Sequence, residues 1–285
     1  MDDNHIPFIL IVFTLIPNLF LLCIEFHCCI TRWLCFIDLM LVFLVWNHIN
    51  DIERTSHVFL SGVTCDTIVG SATYGRIRSI DISGRNLTGT LPSTIGNFQS
   101  VTSLNIAWNS LKGTIPSTIS ALTSLTGIYF FYNSLTGTIP STISALTSLT
   151  VISFFYNSLT GTIPSTISAL TSLTGIDFSS NSLTGTIPST ISAWTSLTVI
   201  SFSYNSLTGT IPSTISALTS LTFLNLRYNY LTMGAATSVP ISTFAARTLS
   251  GNLYLESNCL VFDTNNPYRH VTDTHCRSTT TPSKY

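Results

Sequence analysis

Leu125–Ser148 reads LTGIYFFYNSLTGTIPSTISALTS, and the next residues start it again as LTVISFFYNSLTGTIPSTISALTS. Further copies begin at Leu173 and Leu197 with small changes. Asn109, Asn133, Asn157, Asn181, Asn205 and Asn229 are spaced 24 apart, and so are Pro116, Pro140, Pro164, Pro188 and Pro212. Self-similarity at a fixed period of this size is the sequence signature of a solenoid, in which each unit touches only its neighbours.

The unit itself says how it folds. Ile128 and Phe130 are two apart, the spacing of a strand with one buried side. One such strand cannot bury its apolar side alone, so stacked units pair their strands in parallel and close a shared core. Asn133 follows the strand where the chain turns inward. A buried amide offers two donors and an acceptor to the free backbone groups of a turn, and stacked amides form a ladder. Gly137 suits a bend where a Cβ would clash or φ is positive. Pro140 stops strand pairing and starts a turn, after which Ser141–Leu146 returns over the back as a short helix or 3₁₀ segment.

This order of leucines, Asn133, Gly137 and Ile139-Pro140 resembles the plant-type leucine-rich repeat family from about Ile77 to Thr232. The resemblance implies an α/β repeat: a curved right-handed solenoid with a parallel sheet on its concave face and short 3₁₀ or helical segments on its convex face. It also implies a second short strand around Thr138-Ile139. Similar repeats occur in receptor-like kinase ectodomains, polygalacturonase inhibitors and protist surface antigens. Arg85 departs from the pattern at the asparagine position of the first unit; terminal repeats are commonly atypical.

Five regions follow: a hydrophobic N-terminal region (1–50), an N-terminal cap (51–76), seven repeats (77–232), a terminal repeat with C-terminal cap (233–276) and a polar tail (277–285). Ile6–Ile24 carries no charge and would span about 28 Å as a helix, close to the roughly 30 Å of a bilayer core. Leu34–Trp46 is shorter and contains Asp38. An uncleaved N-terminal anchor helix, a two-helix hairpin with Arg32 on the cytoplasmic side and a cleaved signal are all compatible with these runs. Each could place the repeats outside the cytosol, in the membrane-bound, cell-surface or secreted state. Cys23, Cys28, Cys29 and Cys35 lie in or beside the runs as apolar filler or palmitoylation sites.

The stretch Ser61–Asp66 resembles the cap that precedes plant-type repeats, but Val58 and Leu60 stand where that cap carries its second cysteine and its Trp. The state of Cys65 therefore stays open. Asn86-Leu87-Thr88 is the chain's N-x-[ST] acceptor and a candidate for glycosylation. Beyond Leu231 the pattern breaks, and Leu253, Leu255, Asn258 and Leu260 restore it as a terminal unit. Cys259 and Cys276 resemble a C-terminal cap disulfide, worth ~3 kcal/mol in the chain-entropy model; two free thiols are the alternative.

Net charge is −1 and charged residues make up 8% of the chain, without a basic block for nucleic acid. Between Val101 and Thr232 the only charges are Lys112, Asp177 and Arg227. No histidine lies among the repeat serines, no nucleophile elbow or P-loop occurs, and the His270–Cys276 group fits no standard metal spacing. Asp81 and Asp177 stand four units apart, about 19 Å at the strand spacing and too far for a carboxylate pair. The expectation is a non-catalytic chain without cofactor or metal. Its partner would be a protein, peptide or glycan bound on the concave face. A coat role without a specific ligand and a truncated receptor-kinase ectodomain are the alternatives.

The candidate partner-binding residues are aromatic. Position 8 of the unit, just before the ladder asparagine, reads Gly84, Trp108, Tyr132, Tyr156, Ser180, Tyr204 and Tyr228. Phe131 and Phe155 at position 7 and Tyr129 at position 5 add to it. These positions flank or follow the buried strand residues and should face out on the sheet. The patch should be densest over units two to four. Exposed aromatic clusters mark binding surfaces, and Tyr and Trp are favoured anchors.

Overall fold

The computed structural model describes residues 63–65, 76–232, 253–255 and 258. The expected N-terminal helix, the Cys259–Cys276 pair and the tail lie outside these residues. Among the described residues no helix is long and apolar enough to cross a membrane.

Seven strands recur at one per unit, from Ile77–Asp81 and Ser103–Asn105 through Gly127–Tyr129, Val151–Ser153, Gly175–Asp177 and Val199–Ser201 to Phe223–Asn225. They form the body of a nine-stranded sheet. Neighbours within this body pair in parallel and in register, so that Ile128 meets Ile152 and Ile152 meets Ile176. Val63–Cys65 closes the first edge antiparallel to Ile77–Asp81, and Leu253–Tyr254 adds a parallel strand at the other. Thr126, Thr150, Thr174, Thr198 and Thr222 reinforce the ladder at the strand starts. Each donates its hydroxyl to the carbonyl of the same residue one unit back.

The core is one continuous column from Ile77 to Leu255. Its spine is the row Phe130, Phe154, Phe178 and Phe202, with ring centroids 5.3, 5.5 and 5.7 Å apart down the stack. Phe130 alternates with half-buried Tyr129 and Phe131, the period of two that one-sided burial demands. Trp194 takes the place held by Leu122, Leu146, Leu170 and Leu218 in other units. It is fully buried, and its Nε1–H donates to the Ile167 carbonyl, so its one polar atom is satisfied.

The back of each unit is a five-residue 3₁₀ turn such as Ser141–Ala145, preceded by Pro140 at φ −65°. The Ile143 amide donates to the Pro140 carbonyl and Ile143 itself is buried. Each turn is tied to the preceding one, with the Thr142 hydroxyl donating to Ser117 O at 3.1 Å.

The second strand takes in the Thr138 position and stops short of Ile139. It spans Ser134–Thr136 in one unit and Thr160–Thr162 in the next, with Thr138 bridged to Thr160. The glycine bends the chain within this strand or just after it. Gly137 has φ +74°, which turns the chain, and Ile139 then drops into the core. A Cβ on Gly137 would also stand 2.7 Å from the Thr114 Cγ2 of the preceding unit, so the glycine meets both demands of the bend.

Candidate functional site

The asparagines define the turn on which the site is built. The Asn157 Oδ1 accepts from the Leu135 amide at 2.9 Å, and its Nδ2 donates to the carbonyls of Phe130 at 3.0 Å and Phe154 at 3.1 Å. Leu135 and Phe130 belong to the preceding unit, so each asparagine reaches backwards. Asn133, Asn181, Asn205 and Asn229 repeat the arrangement. Asn109 serves the first unit by accepting from the Arg85 and Leu87 amides. Arg85 is tolerated at its position for that reason: no repeat precedes it, and its own turn is served from ahead. Asn258 does the same for the last repeat, accepting from Leu231 and donating to Leu226 and Leu255 carbonyls. It falls 29 residues after Asn229 rather than 24, off the strict period.

The residue before each of the six evenly spaced asparagines, 109 to 229, is left-handed, and so is Gly84 before Arg85. Trp108, Tyr132, Tyr156, Ser180, Tyr204 and Tyr228 have φ between 51° and 57°, and Gly84 has 63°. Left-handed backbone costs a non-glycine residue roughly 1–2 kcal/mol. Glycine at each of these places would relieve that strain, yet five of the seven carry a bulky ring. The conformation throws those rings out of the sheet and alongside one another.

Two aromatic stacks result. In the first, Trp108 lies on Tyr132 at 3.7 Å between centroids and 14° between planes, and Tyr132 on Tyr156 at 4.6 Å and 27°. Phe131 and Phe155 stack beside them at 4.7 Å and meet Tyr132 edge-on. Trp108 and Tyr156 are each 55% exposed in spite of this packing. Tyr129 does not join. Its ring folds back over Gly127, within 2.8 Å of where a Cβ there would stand.

The second stack departs from the single patch expected over units two to four. Tyr204 and Tyr228 stack at 4.3 Å, and the Arg227 guanidinium lies 5.3 Å from the Tyr204 ring, 5.8 Å from Tyr228 and 5.9 Å from Tyr254. Phe223 and Tyr254 add a tilted pair at the same end. Arg227 and Tyr254 were not among the sequence candidates. The rarity of charge in the repeats was the signal that could have found Arg227.

Between the stacks the face is polar. Ser153, Ser179, Ser201 and Ser203 are buried there, and Asp177 is half-buried among them. The Asp177 Oδ1 accepts from the Ser179 amide at 2.9 Å and from its hydroxyl at 2.5 Å. Burial raises the Asp177 carboxyl above its ordinary value against the pull of those bonds and of Ser201. At Asp81, burial also raises, but the bonds from Ser83, with Asn105 and Arg85 near, prevail and hold it below. Among the described residues no group of His, Cys, Asp or Glu is arranged to hold a metal. Asn86 is exposed, at φ 54° in the first turn, with Thr88 exposed beside it.

Family models described as leucine-rich repeat match residues 171–231, and again 76–98, 100–122 and 148–170. No curated protein matches at a significant level. Among solved structures, the chain is similar to the ectodomain of the Arabidopsis thaliana membrane receptor kinase GASSHO1/SCHENGEN3, in complex with CASPARIAN STRIP INTEGRITY FACTOR 2. Identity is 32% with a TM-score of 0.59, over 64% of this chain and 21% of that one. It is also similar to the Arabidopsis receptor kinase HAESA in complex with the peptide hormone IDA and the co-receptor SERK1, at 33% identity and a TM-score of 0.59. There 65% of this chain and 30% of that one are covered. The chain thus spans less than a third of the length of either ectodomain. A plant ice-binding protein shares the fold at 22% identity and a TM-score of 0.54, over 83% of this chain and 89% of that one. With its 24-residue period, backward asparagine ladder, parallel sheet and 3₁₀ backs, this chain is a plant-type leucine-rich repeat protein.

Proposed function

We propose that the chain is a non-catalytic recognition module that binds a peptide or protein segment on the exposed face of its long sheet. The observation that carries this is the retention of bulky aromatic rings at strained left-handed positions that glycine would relieve. Strain kept at a set of exposed positions points to function, and stacked Trp and Tyr are strong anchors. Within the stacks the rings turn faces on one another. That favours an extended peptide laid across the stacks over a sugar ring, which needs an open aromatic face. The likeness to two receptor ectodomains whose structures contain a peptide hormone or a named factor supports the same reading.

The module works outside the cytosol, secreted or held by its N-terminal region. The nearly uncharged repeat surface and the extracellular type of its structural relatives support this, and protease access to the repeats on intact cells checks it. Binding is tested with peptides selected from a displayed library on the immobilised chain. The double variant Trp108→Ser, Tyr132→Ser uses a residue that the scaffold already carries at Ser180. It should melt close to the parent and bind the selected peptides at least about tenfold more weakly, since anchor residues carry 2 kcal/mol or more. Equal binding by the variant would show that the first stack is not the binding site.

A further inference from the structure

The aromatic face leaves the most regular part of the surface without a role. Between the ladder asparagine and the proline the chain reads Thr-Gly-Thr at Thr88–Thr90, Thr136–Thr138, Thr160–Thr162, Thr184–Thr186 and Thr208–Thr210. One unit has Lys112 ahead of Thr114 instead, and Thr232 opens the same stretch in the last repeat. All of these threonines are exposed, while Leu135 and Ile139 on either side of one such stretch fill the core. Across neighbouring strands Thr114 pairs with Thr136, Thr138 with Thr160, Thr162 with Thr184 and Thr210 with Thr232. The threonines therefore form a staircase: two residues along one strand, one step across, two residues along the next. The steps are about 4.8 Å across and at most about 6.8 Å along.

Both kinds of step are held in one side-chain setting. The hydroxyls of Thr160, Thr184, Thr208 and Thr232 each donate to a glycine carbonyl of the preceding unit, at 3.2–3.3 Å, and their oxygens can still accept. Thr90, Thr114, Thr138, Thr162 and Thr186 each bring Cγ2 to 2.7–2.9 Å from where a Cβ on the next unit's glycine would stand. The methyl thus fills the notch that the glycine leaves. Little rotamer freedom remains to be lost on binding.

We propose that this threonine staircase is an ice-binding surface. A peptide or folded partner presents different groups at successive steps, whereas here every step offers the same hydroxyl and methyl. The partner that fits repeats in two directions at spacings of a few ångströms, as the face of a crystal does. Both steps are comparable with the oxygen repeats on the faces of hexagonal ice. Lys112 is the only charge in the array, so the surface matches an uncharged partner that both donates and accepts hydrogen bonds. It has no aromatic ring, the platform that a crystalline polysaccharide would need. The hydroxyls can take up lattice positions of water, and the methyls order the water between them without competing for its bonds. Each contact is weak, but the preset rows engage together.

The staircase uses none of the aromatic residues, so it is tested independently of peptide binding. A seed ice crystal is held in supercooled solutions of the full chain, and fluorescently labelled chain is followed into ice grown slowly from the same solutions. The parent should facet the crystal, open a gap between its melting and freezing points, and be enriched in the ice. The double variant Thr160→Lys, Thr184→Lys repeats the side chain that the scaffold already carries at Lys112. It should melt thermally close to the parent and lose both the gap and the enrichment. Trp108→Ser, Tyr132→Ser should retain both, so failure of the aromatic face and failure of the staircase are separate results. Unfaceted growth without a gap in the parent, or a parent-like gap in the lysine variant, would overturn the assignment. Retention of the parent on crystalline cellulose together with exclusion from ice would overturn it in favour of a polysaccharide.

Discussion

Asn157 is worth more than its one side chain, because it satisfies the turn of the unit before it as well as its own. Replacing it by leucine removes the acceptor for Leu135 N and the donors for Phe130 O and Phe154 O. A buried backbone group left unpaired costs about 1–3 kcal/mol, so Asn157→Leu should lower the thermal midpoint clearly in a circular-dichroism melt. An unchanged midpoint would mean that the ladder bonds are idle. The two strand carboxylates should behave oppositely with pH. Asp177 has a folded-state pKa raised by burial above the ordinary carboxylate value of 3.8, so the folded state holds its proton longer. Its presence therefore favours folding least above that raised pKa, and the penalty fades as pH falls through it toward 3.8. Asp177→Asn, which keeps an acceptor for Ser179 as Asn105 does for Ala107, should raise the melting temperature at pH 7 and have no such effect at pH 3. Asp81 is lowered, so its contribution is full above 3.8 and is lost as pH falls through its folded pKa. Asp81→Asn should be mildly destabilising at pH 7 alone.

The second strand is the element whose pairing sequence showed least. The repeat showed that a glycine was needed after Leu135 and that Ile139-Pro140 followed. It did not show that strands of successive units pair there at a different offset from the main sheet: Thr184 meets Thr162, not Thr160. Hydrogen-bond register is a property of two units together, and the pattern within one unit does not carry it. The same limit applies to the binding face. Alternation along the strand identified which aromatic positions face out, but not that position 8 is left-handed, nor that Tyr129 would fold back over Gly127. Gly161 tests the element directly. At φ +74°, with a Cβ due to stand 2.7 Å from the Thr138 Cγ2, Gly161→Ala should cost more than about 1 kcal/mol. Adding Thr138→Ser removes the methyl and should recover only part of that loss, because the backbone strain stays. Full recovery in a melting experiment would assign the whole cost to the clash.

At the scale of the molecule, the period itself is the design rule. Each unit meets only its two neighbours, so stability is close to a sum of units and interfaces. Removing residues 149–172, one whole period, should leave strands, phenylalanine spine and asparagine ladder in register. The shortened chain should still melt cooperatively, at a lower temperature. Removing 22 residues instead should unfold the units around the cut, because it shifts the main sheet by two residues. Retained cooperative melting in that second deletion would count against a register-locked solenoid. The period, the core and the ladder were all legible from one chain because duplication had copied them. What distinguishes one unit from the next, Asp177, Arg227 and Ser180 among them, is the part that repetition does not explain.

The backward reach of the asparagines also gives the molecule a direction in time. A unit's turn is closed by a side chain that comes 22 residues after the amide it accepts from and 27 after the carbonyl it donates to. As the chain leaves the ribosome, each unit stays unfinished until the next one's asparagine has emerged, and assembly runs one repeat behind synthesis. The first unit never waits on an asparagine of its own, and the seventh waits longest, for Asn258 beyond the irregular stretch. Stalled chains should therefore become protease-resistant in steps of one repeat, each step set by the appearance of an asparagine and not by completion of the strand before it.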